Sequence, residues 1–140
     1  MKKYNILLVE DDELDVISVK RSLKKLDTPY ELITAYNGKE ALDILRQEPA
    51  FHPDLILLDL NMPKMNGLEF LKALRKDEKL KHLKVFVMTT SGESIDRTTT
   101  ESLGISGFMI KPLNYTDNTK RTDSMQAFVD FHLRKILTEE

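Results

Sequence analysis

The chain has 140 residues, 41% of them hydrophobic and 31% charged, with a net charge of −2 and no cysteine. That length fits one globular domain with its own core and leaves no room for a second. The charge balance offers no general attraction to nucleic acid or anionic lipid, and the lack of cysteine excludes disulfides, thiolate metal sites and a cysteine nucleophile.

The N-terminal "MKKYNILLVEDD" begins with two lysines, as a signal peptide does, but its apolar run from Ile6 to Val9 is too short for export or for spanning a membrane. It reads instead as the first of five strands, 5–9, followed by 30–36, 54–58, 84–88 and 107–110. Between the first two, "DELDVISVKRSLKKL" sets Val16, Val19, Leu23 and Leu26 at helical spacing, with Asp12 as its cap. After strand two, Asn37 and Gly38 open a helix presenting Ala41, Leu42 and Leu45; after strand three, "NGLEFLKALRK" carries a stripe of Leu68, Leu71 and Leu74. The helix after strand four, "SIDRTTTESLG", is weakened by three successive branched residues, Thr98 to Thr100, and stopped by Gly104, which suits a mobile switch element.

The last segment, "SMQAFVDFHLRKIL", sets Met125, Phe128, Val129, His132 and Ile136 on one face. Phe131, Leu133 and Leu137 fall beyond it, so the apolar arc exceeds the roughly 100° that one surface helix needs to cover its core. The surplus predicts a partner surface. Strict strand–helix alternation with nearly continuous hydrophobic strands predicts an α/β fold, a parallel sheet covered by helices on both faces.

In such a sheet the carboxyl ends of all strands open on one edge, where ligands bind. Strand one is followed there by Glu10, Asp11 and Asp12, and strand three by Asp59. Clustered carboxylates repel unless a cation joins them, and an oxygen-only set favours a hard ion such as Mg²⁺. Strand four adds Thr89 and Thr90 from "MTTSG", and strand five adds Lys111 from "IKP". Acids, a hydroxyl, an ammonium and a metal make a site for a phosphoryl group, with one carboxylate as nucleophile. Each piece has a plainer reading: acids after a strand cap the next helix, a threonine there is ordinary, and a lysine before proline is usually solvated. The coincidence of four strand ends, all carrying suitable groups, favours the site.

These residues carry a resemblance. "LLVEDD", "PDLILLDLNMPKMNGLEFL", "VFVMTTS" and "GFMIKP" resemble the receiver domain of response regulators in two-component signalling, and the separations of Asp59 from Thr89 and from Lys111 match the family pattern. The likeness covers nearly the whole chain, most clearly 5–113. It implies a flavodoxin-like, doubly wound (βα)5 fold with strand order 2-1-3-4-5, forming a single receiver domain over 1–140 with no output domain. The longer segments "RQEPAFHP" and "KDEKLKHLK" are similar to single-domain regulators paired with phytochrome-type kinases. "NYTDNTKRTDS", before the last helix, is longer than the family pattern.

By resemblance, Asp59 is the phosphoacceptor that becomes 4-aspartylphosphate. Asp11, Asp59 and the backbone carbonyl of Asn61 hold Mg²⁺ or Mn²⁺, with Glu10 behind them. Thr89 is the switch hydroxyl, Lys111 binds the phosphoryl group, and Phe108 is the aromatic residue that changes rotamer. Pro112 follows a peptide bond typically cis in the family, and Asn61 and Ser91 tune hydrolysis. The family implies a cytoplasmic protein that is a signalling switch rather than an enzyme. Its donor is a histidine kinase or histidine phosphotransfer protein. Its output face, made by the helix after strand four, strand five and the last helix, meets a downstream protein target, and the last helix supports a homodimer. No nucleic acid or membrane is involved.

Three other readings compete. A pseudo-receiver would bind partners without phosphorylation. A haloacid dehalogenase-like phosphatase needs an acid two residues past its nucleophile, where Asn61 stands. A flavin-binding domain needs a small-residue phosphate loop after strand one, where "EDD" would repel the anion.

Overall fold

Alternating apolar runs and amphipathic segments fold here into a parallel sheet. The computed structural model describes residues 3–25, 28–47, 51–60, 66–90 and 102–111, together with Leu133 and Lys135; at 89, 90 and 108–111 the description is of the backbone. The elements are β1 (Tyr4–Val9), α1 (Glu13–Leu23), β2 (Tyr30–Ala35), α2 (Gly38–Arg46), β3 (Leu55–Asp59), α3 (Gly67–Lys76), β4 (Val85–Thr90) and β5 (Gly107–Lys111). The strands pair in parallel in the order β2-β1-β3-β4-β5. The order reverses at β1 and β3, which makes their carboxyl ends the natural ligand crevice of this flavodoxin-like fold.

Side-chain alternation along the strands splits the core into two layers. Ile6 and Leu8, Leu55 and Leu57, Phe86 and Met88 face α1 and join Val16, Val19 and Leu23. Leu7 and Val9, Ile56 and Leu58, Val85 and Val87 face the other way, onto Ala41, Leu42 and Leu45 of α2 and Phe70, Leu71 and Leu74 of α3. Burying each side chain of this size stabilises by roughly 1.5–3 kcal/mol. Both faces of β1, β3 and β4 are covered, which is why their sequences read as continuous hydrophobic runs.

Each of α1, α2 and α3 starts on a side-chain cap. Asp12 Oδ1 accepts from the Leu14 and Asp15 amides at 2.8 and 3.3 Å. Asn37 Oδ1 accepts from the Glu40 amide at 2.8 Å. Asn66 and Glu69 form a reciprocal capping box, at 2.9 and 3.3 Å.

Several expectations need correction. The strands are displaced by one or two residues, β3 running through Asp59 and β4 through Thr90, because polar strand ends interrupt the apolar signal without interrupting the pairing. On α3 the fully buried position is Phe70, whereas Leu68 is half-buried at the edge of the apolar face. Leu133 is 0% exposed and packs in the α1-side layer with Ile6, Leu8 and Leu55, so it belongs to the core and not to the surplus apolar surface. Leu26 and the segments carrying Thr98 to Thr100, Phe131 and Leu137 lie outside the described residues. Gly104 has φ 75, the left-handed conformation expected of a helix-terminating glycine. Among the described residues, no helix is long and apolar enough to cross a membrane.

Candidate functional site

The site begins with the pairing of β1 and β3. Val9 and Leu58 are register partners, so the next residues on each strand, Glu10 and Asp59, come side by side at the carboxyl edge. Alternation continues Ile6 and Leu8 into Glu10, and Leu55 and Leu57 into Asp59, so both carboxylates leave the sheet on the α1 face. Glu10 is 0% exposed and Asp59 1%, while Asp11 is exposed. Carboxylate oxygens of Glu10, Asp11 and Asp59 lie within 4.8 Å of one another. Like charges that close repel by roughly 3 kcal/mol per pair at an effective dielectric of about 20.

Local structure holds the cluster in place. The Asp12 amide donates to Glu10 Oε2 at 3.2 Å, and Asp12 itself caps α1. Asp11 thus stands in a short connection between an anchored residue and a helix start. Asp59 has a different constraint: a Cβ added to Gly67 would collide with the Asp59 carbonyl oxygen and the Leu60 Cα. Glycine lets the first turn of α3 rest on the acceptor strand, and the Gly67 amide donates to Leu60 O at 3.1 Å.

The donor set fits a divalent cation. Three carboxylates with no histidine or cysteine suit a hard ion, and two of them are buried where uncompensated charge is costly. Beside them, the backbone register sets Thr89 one residue beyond Met88, the β4 partner of Asp59, and Lys111 opposite Thr90. Phe108 lies opposite Val87 on β5. Asn61, Ser91 and Pro112 lie outside the described residues.

Reading residues along the chain missed two features near this edge. Leu14 and Ile17, one turn apart on α1, are 75% and 57% exposed, while Ser18 and Ser22 of the same helix are buried. The inverted pattern was legible as serines falling among the stripe positions of α1. The close approach at Gly67 left only the glycine itself as a signal.

A doubly wound sheet with an acid cluster at its topological switch point defines a class of phosphoryl- and metal-handling α/β modules. Within that class the match is specific: the response regulator receiver domain model matches residues 6–123, and the chain belongs to this family of two-component signalling proteins. It is 35% identical over 127 residues to response regulator Rcp1 of Synechocystis sp., an alignment covering 88% of this chain and 86% of that protein. The crystal structure of Mn²⁺-bound Rcp1 superimposes with a TM-score of 0.79 at 32% identity, covering 91% of this chain and 93% of the other. That of the phosphorylated cyanobacterial phytochrome response regulator RcpA gives 0.74 at 37% identity, covering 81% and 84%. The expected likeness to phytochrome-associated regulators therefore holds.

Proposed function

We propose that this receiver accepts a phosphoryl group on Asp59 from a phosphohistidine of a histidine kinase or histidine phosphotransfer protein. The observation that carries the reading is a buried Asp59 carboxylate at a strand end, with oxygens of Glu10 and Asp11 within 4.8 Å. A carboxylate oxygen of Asp59 attacks phosphorus, the P–N bond breaks, and the imidazole leaves with the electron pair. Water later attacks the aspartylphosphate, returning the carboxylate and inorganic phosphate. Asp11, Asp59 and, by the family resemblance, the backbone carbonyl of Asn61 would hold Mg²⁺ or Mn²⁺, with Glu10 behind them, and the metal would supply charge neutralisation for the phosphoryl oxygens. The Lys111 ammonium binds the phosphoryl group and the Thr89 hydroxyl donates to it.

Rigidity explains why the nucleophile stands on a strand. Held by β1 and β4 on either side and by α3 above, Asp59 needs little reorganisation to meet an in-line phosphoryl group. Engagement of Thr89 and Lys111 then shifts the population of the face built on β5, with Phe108 following, and a downstream protein reads the change. Dimerisation through the last helix rests on Phe131 and Leu137, since Leu133 is committed to the core. Support comes from relatives described as Mn²⁺-bound and as phosphorylated.

The donor protein docks on α1. Leu14 and Ile17 form an exposed apolar pair on the helix that starts one residue beyond Asp12, within reach of a partner presenting its phosphohistidine to Asp59. Incubation with acetyl phosphate and Mg²⁺ tests the reading: the intact mass rises by one phosphoryl group, and D59N shows no rise. No gain in the unmodified chain would favour the pseudo-receiver, and turnover of small phosphate esters would favour the phosphatase.

A further inference from the structure

Arg75, near the end of α3, lies far along the helix from the acid edge and has no part in the chemistry above. Its Nε donates to Leu103 O at 2.5 Å and its Nη2 to Gly104 O at 3.1 Å, while its Nη1 donates to both Lys81 O and Leu83 O at 2.8 Å. Among the described residues, these four partners are all backbone carbonyls. Burial pushes the guanidinium pKa down from its ordinary value, yet arginine stays charged in proteins. A half-buried cation surrounded by carbonyl dipoles is an anchor for main chain rather than a solvated surface charge.

What it anchors is informative. Leu83 stands just before β4, and Leu103 and Gly104 stand just before β5. Gly104, at φ 75, turns the chain toward that strand, and the Ser106 amide then joins Val85 O at 2.7 Å. One planar fork therefore grips the chain immediately ahead of the two strands whose far ends carry Thr89 and Lys111. Strands advance by a fixed rise of about 3.3 Å per residue, so fixing where each begins fixes how far its last residue reaches. At its other end α3 rests on Asp59 through Gly67. The same helix thus touches the acceptor and holds the origins of β4 and β5.

We propose that Arg75 is a positioning residue for phosphoryl transfer, setting the height at which β4 and β5 deliver Thr89 and Lys111 to Asp59. This rests on the phosphoacceptor reading. Lysine cannot replace it fully, because an ammonium lacks the planar fork that spans four carbonyls.

The test compares the wild type with R75K, R75Q, K111A and R75Q/K111A, reading three quantities: the rate of Asp59 phosphorylation by acetyl phosphate, Mg²⁺ affinity by calorimetry, and amide exchange over 102–111. R75Q is expected to slow phosphorylation about tenfold, a modest misplacement by the standard of remote mutations. R75K recovers part of the rate, and Mg²⁺ affinity is unchanged because Glu10 and Asp11 follow β1 and Asp59 ends β3, away from the carbonyls that Arg75 holds. In the K111A background R75Q costs less than in the wild type, since one of the two groups it positions is gone. An unchanged rate in R75Q, or a double-variant loss equal to the product of the single losses, would overturn the proposal. Should R75Q fold poorly, R75K carries the test: faster exchange over 102–111 with a slowed rate supports it, and wild-type values of both contradict it. A wild-type chain that acetyl phosphate does not label would instead bring down the phosphoacceptor reading, leaving the anchor to be judged by exchange alone.

Discussion

Glu10 and Asp59 stand side by side on neighbouring strands, one residue beyond the register pair Val9 and Leu58, and both carboxylates are buried. They belong to segments far apart in sequence and meet because β1 and β3 are adjacent and parallel. A cation bound between them, as proposed above, would offset their repulsion and link stability to metal.

Adding Mg²⁺ at 100 times its Kd should raise unfolding stability by about 2.7 kcal/mol, the value mass action gives for a ligand that binds only the folded state. D59N and E10Q should each weaken the Mg²⁺ effect, because each removes one carboxylate charge from the cluster. Urea unfolding with and without Mg²⁺ measures both. A wild-type midpoint indifferent to Mg²⁺ would count against the metal centre.

Gly67 makes a second prediction. G67A should cost about 1–3 kcal/mol as an overpacked contact and should also slow acetyl phosphate labelling, because the added methyl presses on the Asp59 carbonyl. Denaturation and labelling rates measured together decide it: a stability loss with an unaltered rate would mean that the helix yields rather than the acceptor strand.

How much of this was legible in the sequence depended on whether a signal was local. The two-sided core and the acid edge follow from hydrophobic runs, caps and turn residues that each segment carries within itself, whereas the strand order came only with the family resemblance. Phe70 takes the buried place expected of Leu68 on α3, whose start packs Gly67 against Asp59, a tertiary contact that the spacing of leucines does not carry. Leu133 looked surplus on a helical wheel, yet it fills the α1-side layer over Ile6 and Leu8. Arg75 gave no pattern at all, since its partners are backbone carbonyls, which any residue supplies.

Leu133 gives a direct check on that correction. L133A should destabilise by about 2–5 kcal/mol, the usual cost of emptying a leucine site in a packed core. Chemical denaturation that registers under 0.5 kcal/mol, roughly what a surface substitution costs, would return Leu133 to the exposed face.

Leu14 and Ile17 separate docking from chemistry. The L14A/I17A pair should lower phosphotransfer from a protein donor by about tenfold, as loss of an apolar anchor does at an interface, while acetyl phosphate labelling stays at the wild-type rate. A parallel fall in both rates would show that the substitutions disturb the acid site itself.

The central claim is that Asp59 becomes the phosphorylated residue. Borohydride reduction of the acetyl phosphate-treated protein converts an acyl phosphate to an alcohol, and peptide mapping then locates it. Reduction confined to Asp59, dependent on Mg²⁺ and absent without acetyl phosphate, is the expected result. Reduction at Asp11 or Asp12, or at no carboxylate in the chain, would contradict the account.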